Sequence, residues 1–158
     1  MPASSKNSIE SILEKEGFYL FTGNGDSMRP LIREGIDTVE IRPVDASLKV
    51  GDVILFRNED IYVLHRIMEI KGKYLVTLGD NNVMPETVAA DKVAGIMTGL
   101  WRGEKQVLLT SLRYRTYTAL RLQHPFLFKV LKRLMKGKRF KVTGLQTESK
   151  SQSHRHRL

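Results

Sequence analysis

Val53-Ile54-Leu55-Phe56-Arg57-Asn58-Glu59-Asp60-Ile61-Tyr62-Val63-Leu64-His65-Arg66-Ile67-Met68-Glu69-Ile70 holds two runs rich in β-branched and aromatic residues, parted by a polar turn. That run-turn-run pattern reads as two strands, Val53–Arg57 and Tyr62–Ile70. Outward from it the same character recurs at Phe18–Thr22, Thr38–Ile41, Tyr74–Leu78 and Val93–Leu100. Turn residues separate the runs: Gly23-Asn24-Gly25, Arg42-Pro43, Lys49-Val50-Gly51-Asp52, Lys71-Gly72 and Gly79-Asp80-Asn81-Asn82. Strands this short and this evenly spaced predict a mainly β fold, a compact barrel or folded sheet. Val107–Thr110 is expected to add an edge strand after Arg102-Gly103.

Helical patterns flank this region. Ile9, Ile12 and Leu13 form an apolar edge within Ser5–Glu16, with Asn7 or Ser8 as cap and Gly17 as stop. After Ser111, Leu112–His124 predicts a helix with Tyr114, Tyr117 and Leu120 on one stripe. A second helix starts at Pro125 and sets Leu127, Val130, Leu131 and Leu134 against Lys129, Lys132, Arg133 and Lys136. The expected organisation is an N-terminal helix over 1–17, a β domain over 18–110, a basic amphipathic helical appendage over 111–142 and a disordered tail over 143–158.

A chain of 158 residues, 41% of them hydrophobic, has room for one ordinary domain and an appendage. The absence of cysteine excludes disulfides, thiolate metal sites and a cysteine nucleophile. Charge is unevenly placed: residues 1–100 carry 11 Lys and Arg against 15 Asp and Glu, whereas residues 101–158 carry 15 against 2. The basic end suits an anionic partner, and an anionic membrane surface met through residues 112–142 is one expectation. Packing of the same apolar stripe onto the β domain is the other. No groove-reading or base-stacking motif points to specific nucleic-acid binding. No run approaches the roughly 20 apolar residues of a spanning helix, and the polar N-terminus does not resemble a signal peptide. A cytoplasmic protein, peripheral at most to a membrane, is expected, with no metal or other cofactor.

Chemistry concentrates around Gly23-Asn24-Gly25-Asp26-Ser27-Met28-Arg29-Pro30. A Gly-rich turn lets the backbone approach a ligand and frees N–H groups for an oxyanion. A serine hydroxyl there becomes a nucleophile once a base takes its proton. Each residue also has a plain reading: turn chemistry for Ser27, a satisfied strand histidine for His65.

The order of several segments resembles the superfamily of type I signal peptidases and LexA-type repressors. Gly25-Asp26-Ser27-Met28-Arg29-Pro30 is similar to its nucleophile box, and Leu48–Phe56 to its Gly-Asp-Val-Val-x-Phe segment. Tyr62–Ile67 resembles the base-bearing strand, Leu78–Asn82 the Gly-Asp-Asn turn, and Asp91–Gly95 the closing strand. A histidine base resembles the endoplasmic-reticulum, archaeal and sporulating-bacterial signal peptidases rather than the lysine-based members.

The resemblance implies a serine endopeptidase acting on a peptide or protein precursor through Ser27 and His65, with Gly25, Met28 and Pro30 shaping the substrate site. Asp80 or Glu86 would orient the imidazole; Glu86 falls at the triad carboxylate position of that subgroup, where Asp is usual. No spanning helix precedes the serine box here, and no helix-turn-helix fits before it. A non-catalytic peptide-binding module that keeps the cleft is the alternative.

Overall fold

The computed structural model describes residues 8–124. Helix α1 (Ile9–Glu16) leads into β1 (Tyr19–Thr22), β2 (Asp37–Arg42), β3 (Val53–Asn58), β4 (Ile61–Lys71), β5 (Tyr74–Leu78), β6 (Glu86–Ala89), β7 (Val93–Arg102) and β8 (Lys105–Gln106). Helix α2 (Leu112–Gln123) ends the described part. The strands form one antiparallel sheet in the order β1-β2-β7-β3-β4-β5-β6, with β8 on β7. Its ends, β1 and β6, do not pair, so the sheet is open and a closed barrel is ruled out.

β3 shows why the sheet is not flat. Val53, Ile54, Leu55 and Phe56 are all buried, which a strand with one wet face does not allow. Val53 and Leu55 join Met28, Val39, Ile41 and Leu100 in one core. Ile54 and Phe56 join Ile67, Leu75 and Val88 in a second. Directly opposed residues share a face of a sheet. Ile54 opposes His65 and Val53 opposes Arg66, so these neighbours on β4 leave it on opposite faces.

Each of the six expected runs coincides with a strand, except that Phe18 lies just outside β1. β6 was not expected; Glu86-Thr87-Val88-Ala89 is four residues long and buries only Val88. The edge strand expected at Val107–Thr110 lies earlier, at Lys105–Gln106, and Val107 adds one bond to the Leu100 carbonyl at 2.7 Å. Ser8 caps α1 by accepting from Ser11 N at 3.3 Å, and Gly17 ends it at φ 76°. On α2, Tyr114 and Tyr117 of the expected stripe are half-buried, but Leu120 is 45% exposed and Arg121 takes the buried place. The helix and tail expected beyond Pro125 lie outside the described residues.

Gly95 marks the tightest crossing of strands. A Cβ there would stand 2.5 Å from Ile41 Cγ2 and 2.6 Å from the Arg42 carbonyl oxygen, and the latter belongs to a strand with no freedom to withdraw. Gly95→Ala is expected to destabilise the fold by about 2–3 kcal/mol. In a thermal melt that is a fall of about 5–10 °C; an unchanged melting temperature would contradict the packing described.

Candidate active site

Ser27 sits in the Gly23–Pro30 loop between β1 and β2. Gly25 adopts φ 97°, a conformation that favours glycine, and its N–H donates to Glu34 Oε1 at 2.9 Å. Met28 anchors the loop by burying its side chain in the first core. Asp37, fully buried at the start of β2, accepts from the Arg33 guanidinium at 2.7 Å and the Arg33 backbone N–H at 2.9 Å, fixing the loop's return. Pro30 is exposed and follows a cis peptide bond; Arg102 Nη2 approaches its carbonyl at 3.4 Å.

The second strand of the quoted segment, β4, carries His65, which is 3% exposed and lies edge-on to Phe56 with centroids 6.0 Å apart. Its Nδ1 faces Glu86 Oε2 at 3.8 Å. Both atoms are buried and, among the described residues, neither has a hydrogen-bond partner, so an unfilled polar contact is aimed from each at the other. On the far side of the ring, Asn82 Nδ2 lies 3.5 Å from Nε2. A donating Asn82 amide leaves Nε2 as acceptor and assigns the ring proton to Nδ1, toward Glu86. Burial depresses the pKa of His65 below the ordinary imidazole value, while the Glu86 and Asp80 carboxylates pull it partly back. The ring is therefore neutral at neutral pH, with a lone pair on Nε2.

The Gly79–Asn82 turn joins His65 to the Ser27 loop. Asn81 N–H donates to the Ser27 carbonyl at 2.7 Å, and Asn81 Nδ2 donates to the Asp26 carbonyl at 2.9 Å. A Cβ on Gly79 would lie 2.7 Å from that Ser27 carbonyl and 3.0 Å from His65 Nε2, so only glycine lets the three groups meet. No hydrogen bond joins Ser27 Oγ to His65 among the described residues.

Of the two carboxylates expected to orient His65, the structure brings only Glu86 to the ring. Asp80 points to the other face of the sheet. Its carboxylate accepts from Arg66 Nε at 2.9 Å, Arg66 Nη2 at 2.8 Å and Tyr117 Oη at 2.8 Å. Arg121 Nε lies 3.7 Å away. Burial works against the charge on Arg66, but the Asp80 carboxylate outweighs it and holds the guanidinium above its ordinary pKa. Burial beside the same carboxylate pushes the Tyr117 phenol up, which keeps it a donor.

A groove of about 470 Å³ opens beside Ser27. Gly25, Met28, Tyr19, Phe21, Leu55, Tyr62 and Leu64 are among its walls, and Ile9 brings α1 to its rim. Tyr62 Oη donates to Glu10, which ties that helix to β4. Pro30 is not part of the lining. A larger groove of about 680 Å³ runs between Val50–Val53 and α2 and contains neither Ser27 nor His65.

Arg66, Asn82, Tyr117 and Arg121 were not among the candidate site residues. Arg66 sits beside His65 in β4, but nothing local distinguishes it from a surface arginine. Among the described residues there is no cluster of three or more potential metal ligands, and no helix is long and apolar enough to cross a membrane. A family model described as Peptidase S24-like matches residues 4–98. No curated protein matches the chain.

The His65 titration is directly measurable. Its midpoint by NMR is expected below about 6.5, because the buried ring favours its neutral form. Glu86→Gln removes a charge that favours protonation, so the midpoint should fall further; a rise would show that Glu86 does not act on this ring.

Proposed function

The chain belongs to the Peptidase S24-like family, and from that premise we propose a serine endopeptidase with Ser27 as nucleophile, His65 as base and Glu86 as the orienting carboxylate. The observation that supports it most is His65 itself. It is a buried, neutral imidazole with Nδ1 turned to a carboxylate and Nε2 beside the turn that touches the nucleophile loop.

Ser27 Oγ attacks the peptide carbonyl as its proton passes to His65 Nε2. The imidazolium that forms is held by Glu86, which closes the 3.8 Å gap once the ring is charged. Backbone N–H groups of the nucleophile loop face the developing oxyanion. His65 then returns the proton to the leaving amine, the C–N bond breaks, and an acyl-serine remains. Water, deprotonated by the same imidazole, releases the second product and restores Ser27. The apolar and aromatic walls of the groove suit an extended peptide with apolar side chains. A histidine suits this site because its ordinary pKa lies near neutrality and needs only a small downward shift, whereas a buried lysine needs a large one.

A peptide-binding module without catalysis is favoured by one observation, the missing hydrogen bond between Ser27 and His65. Catalytic contacts in unliganded proteins are often long and tighten with substrate. The basic residues within 112–142 are proposed to meet an anionic membrane surface, though Arg121 is buried and contributes nothing there.

The full chain incubated with a peptide library should yield discrete cleavage products by mass spectrometry, and a fluorophosphonate should label Ser27. Ser27→Ala is expected to abolish both, and His65→Ala to lower the rate by about 10³-fold or more. Undiminished cleavage by Ser27→Ala would overturn the assignment.

A further inference from the structure

The family match ends at residue 98, yet the residues that hold the Gly79–Asn82 turn from behind come from α2. Tyr114, Tyr117, Thr118 and Arg121 recur at the i, i+3, i+4, i+7 spacing of one helix face. Arg66 lies between this face and the turn: its Cζ is 5.9 Å from the Tyr114 ring centroid and 5.7 Å from that of Tyr117. Arg66 Nη1 also donates to Thr118 Oγ1 at 3.3 Å and to the Gly51 carbonyl at 2.8 Å. Tyr117 Oη donates to Asp80 Oδ2 at 2.8 Å. Arg121, 1% exposed, reaches the two ends of the turn, donating through Nη2 to the Gly79 carbonyl at 3.0 Å and the Asn82 carbonyl at 3.4 Å.

The other side of that turn is what touches the nucleophile loop and the base. Asn81 holds the Ser27 and Asp26 carbonyls, and Asn82 stands against His65 Nε2. The turn is therefore gripped by α2 on one side and presses on Ser27 and His65 with the other. Gly79 has no slack in that arrangement, since its α-carbon leaves no room for a methyl group between Ser27 and His65. A displacement of the turn by a fraction of an ångström alters both contacts at once.

We propose that α2 is a strut that positions the active site, with Tyr117 and Arg121 as positioning residues that hold the Gly79–Asn82 turn against Ser27 and His65. The proposal rests on the serine-peptidase reading for its effect on rate, but not for its effect on geometry. A misplacement near 1 Å at reacting groups lowers a rate by up to about 100-fold, so loss of either grip is expected to act on chemistry more than on substrate binding.

The test uses the full chain as Tyr117→Phe, Arg121→Gln and, as a control on the exposed face of α2, Leu120→Ala. Two readouts are taken on folded protein, verified by circular dichroism and melting temperature. One is the rate of Ser27 labelling by a fluorophosphonate; the other is the ¹⁵N shifts of the His65 ring, assigned by comparison with His65→Gln, which report the tautomer. Tyr117→Phe and Arg121→Gln are expected to slow labelling about tenfold or more and to shift the ring from its Nδ1–H form toward a mixture. Leu120→Ala should change neither. Tyr117→Phe loses a single hydroxyl and keeps the test open should Arg121→Gln fail to fold. If the parent chain is not labelled but the ring signals still move, the peptidase reading falls and the strut stands. If labelling and ring signals in Tyr117→Phe match the parent, or change no more than in Leu120→Ala, the strut is overturned.

Discussion

Arg66 and Asp80 are both without solvent exposure, and removing two charges from water costs several kcal/mol per ion unless close geometry and further hydrogen bonds offset it. Here they do. The pair is bidentate, and the remaining polar capacity is met by Tyr117, Thr118 and the Gly51 carbonyl. Tyr117 and Thr118 come from α2 and Gly51 from the turn before β3, and Asp80 itself sits in the Gly79–Asn82 turn. One buried ion pair thus ties together three segments far apart in sequence, and the turn it secures is the one that meets both proposed reacting groups.

The two cores around β3 explain how a paired guanidinium and a neutral imidazole coexist on adjacent residues. His65 projects beside Ile54 and Phe56 into one apolar region, while Arg66 projects the other way toward Asp80. Burial acts on both, with opposite results. The imidazole can lose its proton, so burial lowers its pKa and favours its neutral form. The guanidinium cannot be deprotonated in a protein, so it must be paired. A period-two strand delivers these two environments within one dipeptide.

Glu86 illustrates a second economy. β6 is short and buries little, and it is held by pairing with β5, where Glu86 opposes Thr77. That register aims the carboxylate at His65 Nδ1. At 3.8 Å the contact is too long for a hydrogen bond; in the proposed mechanism it shortens when the ring becomes positive. Asp80, by contrast, is already committed to Arg66 and is not free to serve the imidazole.

The strands that carry the site were legible in the sequence because β-branched runs and glycine-rich turns are local signals. So were the serine loop, the histidine strand and the Gly-Asp-Asn turn, since each is a contiguous stretch. Which of Asp80 and Glu86 lies beside the His65 ring was not, because both lie close in sequence to the same turn, and only the sheet register separates them. β6 escaped notice since four residues with one buried side chain carry no periodic signal. The quoted segment shows the same division. Val53–Phe56 announces a strand through composition alone, but its burial on both faces, and hence the opposite fates of His65 and Arg66, follows from how the sheet folds over two cores. Tyr117 and Arg121 lie furthest from local reading: an arginine on a basic helix looks solvated, and only tertiary packing against Asp80 and the Gly79 carbonyl places it inside.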